Sequence, residues 1–140
     1  MRVSRDPRYW GSQFWFTMHT VAMFYPDFPT SDDMGNARNF FLSLQGLLPC
    51  VSCSQHYTQL LIQHPLEPAL RSKMELMRWV WTIHDAVNTR IGKKGPRFSE
   101  YFAFIQHANE NKKAGLDPLM WGIVVAAVLI MLVRVFVRRQ

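Results

Sequence analysis

The chain holds two cysteines, and they stand close together in Pro49-Cys50-Val51-Ser52-Cys53. At that spacing two thiols can close a reversible disulfide, supply half of a metal site, or lie buried with no chemistry. Pro49 suits the first turn of a helix, so a helix is expected from about Cys50 to Gln63. Thiols at that end feel the positive pole of the helix dipole, which favours thiolate. Thiolate is the nucleophile of disulfide exchange, but it is equally a metal ligand. The placement alone leaves both open.

The metal reading would draw on Cys50, Cys53, His56 and His64. Zinc sites in small domains usually combine two well-separated ligand pairs, and these four crowd into one stretch. A c-type haem is excluded because Ser54, not histidine, follows the second cysteine. The redox reading needs an electron acceptor. Trp15, His19, His84 and Asn88 offer stacking surface and hydrogen-bonding groups that could hold a flavin between helices. A histidine beside an apolar stripe, such as His19, is just as readily a satisfied core residue.

Helices must position these groups, since strand-like alternation is nearly absent. A first helix is expected over Tyr9–Tyr25, with Phe14, Trp15, Met18, Val21, Ala22 and Tyr25 on one face. A second should run from a Ser31 or Asp32 cap to about Leu47, burying Met34, Ala37, Phe40, Phe41, Leu44 and Leu48. After the break at Leu66 to Pro68, a long helix is expected over Leu70–Ile91. Its buried set would be Leu70, Met74, Met77, Trp81, Ile83, His84, Val87 and Ile91, with His84 and Asn88 side by side. Gly92 and Gly95-Pro96 end it. A short fifth helix, Phe98–Asn109, follows a Ser99 cap.

The apolar run Leu119–Val133, extended by Val135 to Val137, predicts a C-terminal transmembrane helix over 119–137. A helix of that length spans about 28 Å, close to a bilayer core. The expected organisation is therefore a domain over 1–110, a linker over 111–118, the membrane helix and a basic tail over 138–140. Lys112 and Lys113 nearly balance Arg134, Arg138 and Arg139, which leaves the orientation undecided. Met1 to Asp6 lacks the apolar stretch of a signal peptide, so the catalytic part is expected in the cytosol, anchored to a membrane. In that compartment a close cysteine pair is more often redox-active or metal-binding than structural.

Composition supports a real core, with 49% hydrophobic and 14% aromatic residues, and argues against disorder. The net charge of +6 is spread over several small clusters, and no nucleic-acid motif accompanies it. No nucleic-acid partner is expected.

Three blocks of residues resemble one family. Trp10-Gly11-Ser12-Gln13-Phe14-Trp15-Phe16-Thr17-Met18-His19-Thr20, followed by Tyr25-Pro26, is similar to the opening signature of the Erv/ALR family of FAD-linked sulfhydryl oxidases. Pro49 to Cys53 matches its Pro-Cys-x-x-Cys. Trp79, His84, Val87 and Asn88 match its Trp-x-x-x-x-His-Asn-x-Val-Asn helix, with Asp85 in place of the first asparagine. Arg90-Ile91-Gly92-Lys93 resembles its basic segment that closes over the cofactor. The blocks run from about Tyr9 to Phe104 in the family's order.

The resemblance implies an all-α fold, a four-helix bundle plus a short fifth helix with FAD at its mouth. Cys53 would lie against the flavin and Cys50 would exchange disulfides with substrate. Trp15, His19, Tyr25, His84, Asn88 and Lys93 would contact the cofactor, Gly11 would allow close approach, and His56 would join them. The implied activity is thiol oxidation, with electrons passing from substrate thiols through Cys50 and Cys53 to FAD and then to O2, forming hydrogen peroxide. Many relatives carry a second, shuttle cysteine pair, which this chain lacks. Its expected electron donor is therefore a dithiol protein or a thioredoxin-like partner acting directly. Compact members of this kind resemble those of large cytoplasmic DNA viruses, some of them membrane-anchored, and the family is homodimeric. The rival readings are a membrane-anchored helical scaffold or a Cys/His metal-binding protein without redox activity.

Overall fold

Proline-fixed breaks divide the chain into helices whose starts are each set by a local side-chain cap. The computed structural model describes residues 4–103. Its elements are α1 (Pro7–Met23), α2 (Ser31–Leu47), α3 (Val51–Gln63), a 3-10 turn (Glu67–Arg71) and α4 (Lys73–Arg90). Asp6 caps α1 by accepting from the Arg8 N–H at 2.9 Å, with Pro7 in the first turn. At α2 the cap is Thr30, one residue before the expected Ser31 or Asp32. Thr30 and Asp33 satisfy each other's backbone N–H reciprocally in a capping box.

Two boundaries differ from expectation for backbone reasons. Leu48 is extended, as a residue before proline must be, so α2 stops and Pro49 lies outside α3 rather than in its first turn. Cys50 is the N-cap of α3. The fourth helix starts at Lys73, not Leu70, because Ser72 caps it with its hydroxyl on the Glu75 N–H. Leu70 belongs to the preceding 3-10 turn, where it is buried.

α1 packs chiefly against α4 and α2 against α3, while the 3-10 turn lies against both α2 and α4. The core is built from Phe41, Leu70, Leu76, Val80 and Ile83. Phe41 meets the Trp79 ring edge-on, with centroids 5.2 Å apart. On α4 the buried stripe is Leu76, Met77, Trp79, Val80 and Ile83. The expected burial of Met74 and Ile91 does not occur; they are 38% and 57% exposed. Both lie outside the stripe, Met74 in the first turn of α4 and Ile91 just past its last. The Arg38 guanidinium grips the Glu67 carboxylate with two bonds, at 2.6 and 2.7 Å, tying α2 to the 3-10 turn.

α4 ends in a Schellman motif. The Lys93 N–H donates to the Asn88 carbonyl at 2.8 Å and the Gly92 N–H to the Thr89 carbonyl at 3.1 Å. Gly92 takes φ +70°, and a Cβ there would meet nothing within 4 Å. Gly92→Ala should therefore cost only the left-handed backbone, about 1–2 kcal/mol, read as a lower urea midpoint with an unchanged slope. Trp81 donates its indole N–H to the Pro96 carbonyl at 3.0 Å, holding the chain beyond the motif.

Residues 97–103 belong to a second unit of the chain. Within it, 98–103 is helical, and the Glu100 carboxylate accepts from the Arg97 N–H at 2.9 Å. Ser99 is therefore inside the helix rather than its cap. The rest of the expected fifth helix, the linker, the span 119–137 and the basic tail lie outside the described residues. Among the described residues, no helix is long and apolar enough to cross a membrane.

Candidate functional site

Cys50 and Cys53 form a disulfide, with Cα atoms 5.2 Å apart. The Cys50 sulfur also accepts from the Cys53 N–H at 3.2 Å, the bond that makes it the cap of α3. Ser52 Oγ stands 3.3 Å from the same sulfur. A disulfide sulfur carries no hydrogen, so in this bond the hydroxyl is the donor. Both contacts supply partial positive charge where a thiolate would form on Cys50. Ser54 anchors the next turn by donating to the Gln45 carbonyl of α2.

Cys53 opens onto a cavity of about 720 Å³ bounded by residues of α1, α2, α3 and α4. The chain reaches this cavity from several distant sequence blocks. Gly11, Trp15 and His19 come from α1; Cys53 and His56 from α3; His84 and Asn88 from α4; and Lys93 from the Schellman motif that ends α4. Cys50 does not line it. Tyr25, expected at the same site, stands apart. It is buried and its hydroxyl donates to the Leu70 carbonyl at 2.9 Å. That bond uses the phenol to brace the end of α1 against the 3-10 turn.

Trp15 and His84 stack face to face, with centroids 4.0 Å apart and planes 7° from parallel. His19 Nε2 lies 2.9 Å from His84 Nδ1, so one of the two imidazoles donates to the other. Such a bond requires at least one neutral ring. Burial, and then the neighbouring His84, lowers the His19 pKa to about 4. Burial likewise lowers His84, with Asp85 partly opposing the shift. His56, half-buried, is lowered by burial and then by Arg90.

Folding depresses the proton affinity of these rings, so the unfolded chain takes up protons first as pH falls below about 6.5. Stability due to the pair is complete above that value and declines as pH falls toward about 4, where native His19 itself titrates. Thermal unfolding from pH 7 to 4.5 should show a falling midpoint, with a shallower fall in His19→Gln.

Gly95 packs where a Cβ would sit 3.2 Å from Asn88 Nδ2, so its lack of a side chain makes room for the amide. His64 does not join the cavity; its carbonyl accepts from the Trp79 indole at 2.9 Å. Among the described residues, no three His, Cys, Asp or Glu side chains gather as a metal site.

A model of the Erv1 / Alr family matches residues 12–109. The chain belongs to the Erv1 / Alr family. Its similarity to a protein of Acanthamoeba polyphaga mimivirus, named Probable FAD-linked sulfhydryl oxidase R368, is 35% identity over 109 residues, covering 77% of this chain and 76% of that one. A protein of African swine fever virus (isolate Tick/Malawi/Lil 20-1/1983), named FAD-linked sulfhydryl oxidase, is 33% identical, covering 66% and 76%. The FAD binding domain of Erv1 from Saccharomyces cerevisiae superposes with a TM-score of 0.62 at 27% identity, covering 66% of this chain and 86% of that domain.

Within this Erv1 / Alr fold, the cavity also recruits residues that sequence reasoning did not assign to it. Leu44, Leu48 and Val87 supply apolar wall, and Arg8 joins Arg90 and Lys93 of the expected basic segment as a cation. No acidic residue is among the lining set. Arg8 stands near Arg2 and Arg5 in the sequence, and nothing local joins it to Arg90. Only the packing of α1 on α4 does that.

Proposed function

We propose that this chain is a FAD-linked thiol oxidase that forms disulfide bonds in partner proteins. One observation carries the reading: Cys53 of a two-cysteine disulfide opens onto the same cavity as the Trp15–His84 stack. The residues present suit the cofactor. Two parallel rings and an apolar wall suit a flat heterocycle, Asn88 and the histidines offer hydrogen bonds, and Arg8, Arg90 and Lys93 suit phosphate oxygens. Gly11 lines the cavity, and a Cβ built there meets no protein atom within 4 Å.

FAD held by these residues would supply two-electron redox chemistry, with O2 as the final acceptor and hydrogen peroxide as its product. The cysteines do the exchange. A substrate thiolate bonds to Cys50 Sγ, the Cys50–Cys53 bond breaks, and Cys53 leaves as thiolate into the cavity. A second substrate thiolate then attacks the mixed disulfide, and Cys50 leaves as thiolate, favoured by its cap position and by Ser52. The substrate has lost two electrons and two protons, and Cys50 and Cys53 hold the pair. The neutral His19–His84 pair adds no positive charge to the cavity at pH 7.

The same reading includes electron supply directly from a dithiol protein or thioredoxin-like partner, a homodimeric core, a membrane anchor over 119–137 and a cytosolic catalytic domain in a compact viral member. Similarity to the two viral proteins supports the last point. The full chain, purified in detergent, should be yellow, keep flavin absorbance through gel filtration and consume oxygen with dithiothreitol. A colourless, folded chain that consumes none would leave the helical scaffold instead. Gly11→Ala should separate fold from site. It gains about 1 kcal/mol of helix stability without flavin, while flavin affinity falls about tenfold. Thermal melts of the flavin-free protein and a fluorescence titration measure the two effects.

A further inference from the structure

The redox disulfide sits inside a long stretch without formal charge. From Asn39 to Leu66 the sequence contains no Asp, Glu, Lys or Arg. The two charged residues that bound this stretch, Arg38 and Glu67, neutralise each other in a bidentate ion pair. The whole of α3 and most of α2 therefore present a neutral surface, in a chain whose net charge is +6. The histidines of the stretch do not restore charge at Cys50. His56 faces the cavity with a lowered pKa, and His64 is half-buried at the far end of α3.

Beside Cys50 this neutral surface is apolar and open. Leu47 is 65% exposed and Val51 is 70% exposed, and Pro49 between them is exposed as well. None of the three lines the cavity, whereas Cys53 and the cations Arg8, Arg90 and Lys93 do. The two sulfurs thus face different surroundings: Cys53 a cavity with a cationic lining, Cys50 an uncharged apolar rim. Any thiol that attacks Cys50 must bring its neighbouring residues over that rim.

We infer that Leu47, Pro49 and Val51 form the docking collar for the substrate, and that the substrate is a polypeptide whose reactive cysteine is flanked by apolar, uncharged residues. The inference rests on the thiol-oxidase reading and adds the substrate class. A charged residue carried onto the collar would lose hydration and find no counter-charge on Leu47, Pro49 or Val51, which is costly. An apolar residue would cover Leu47 and Val51 and gain from the area removed from water. A peptide with uncharged flanks is not steered by the net charge of the chain, so its rate of association depends little on salt. The exchange itself is the one written above, with the substrate sulfur bonding to Cys50 as Cys53 leaves.

The test uses the flavin-loaded full chain in detergent with three dithiol peptides that differ only in the residues flanking each cysteine: leucine, glutamate or lysine. Dithiothreitol is the reference thiol. The leucine peptide should have kcat/KM about tenfold above both charged peptides, which corresponds to about 1.4 kcal/mol. Its value should change less than about twofold between low and physiological salt. In Leu47→Ser/Val51→Ser the preference should shrink to about twofold, and because it is a ratio within one protein, partial loss of folded enzyme does not disturb it. Turnover of dithiothreitol with equal use of all three peptides, or preference for a charged one, overturns the docking inference alone. Failure with dithiothreitol as well overturns the oxidase reading and this one together. An unchanged ratio in the double variant, with a lowered sedimentation coefficient, would assign the collar to a second copy of the chain and overturn it.

Discussion

Cys53→Ser should lower oxygen consumption with any thiol by about a thousandfold or more, because no disulfide remains to receive the electron pair. Cys50→Ser should do the same, but the two variants should differ in what they capture. Cys50 stands outside the cavity, so in Cys53→Ser its lone thiol can hold a substrate as a mixed disulfide with no neighbouring thiolate to displace it. In Cys50→Ser the remaining thiol lines the cavity and should form far less of that adduct. Non-reducing electrophoresis after incubation with a single-cysteine peptide activated as its thionitrobenzoate disulfide, which bonds to the enzyme thiol as thionitrobenzoate leaves and carries no second thiol, distinguishes the two. Equal adduct yields would contradict the assigned roles. The loss is chemical rather than structural. A disulfide that closes so short a loop contributes only about 2 kcal/mol by chain entropy, and both variants should remain folded with flavin bound.

The largest effect on stability is expected at Phe41. It has no exposed surface, and its ring fills the space between α2 and α4 against Trp79. Phe41→Ala should cost about 3–5 kcal/mol, the range for removing a buried aromatic ring and leaving a cavity. A small domain holds only about 5–15 kcal/mol in total, so this one change could consume half of it. Urea unfolding followed by tryptophan fluorescence measures the loss. Tyr57→Phe offers a scale within the same contact. Its hydroxyl donates to the Phe41 carbonyl at 3.1 Å, and removing it leaves the ring packing intact. That change should cost about 1 kcal/mol. A Phe41→Ala effect no larger than the Tyr57→Phe effect would mean that the ring is not the core's centre.

How much of this could be read from residues alone depends on the range of the interaction. The α2 and α3 ends were legible because Pro49, Pro65 and the helix periodicity act within a few residues. The Thr30 cap was missed because Ser31 and Asp32 are equally good cap types, and only the bond between Thr30 and Asp33 chooses between them. On α4 apolar residues occupy more than one face, so spacing could not decide that Leu76 and Val80 would be buried while Met74 and Ile91 would not. Trp15, His19 and His84 were each placed on a helix, and the family resemblance joined them. The 4.0 Å stack and the 2.9 Å imidazole contact are tertiary facts, however, made by α1 lying along α4. Tyr25 shows the opposite limit: its place in a sequence signature said nothing of the Leu70 carbonyl that holds it.

The cap formed by Cys50 makes α3 itself a sensor of electron count. In the oxidised form the Cys53 N–H is held by a neutral sulfur. After reduction the same position can carry a full negative charge, which binds the free N–H groups of the first turn more strongly and opposes the helix dipole. Amides of that turn should therefore exchange with solvent more slowly in the reduced enzyme than in the oxidised one. The coupling is reciprocal. Whatever tightens the start of α3 also raises the affinity of the cysteine pair for electrons, so a substitution anywhere in that turn alters the driving force of the reaction without touching either sulfur.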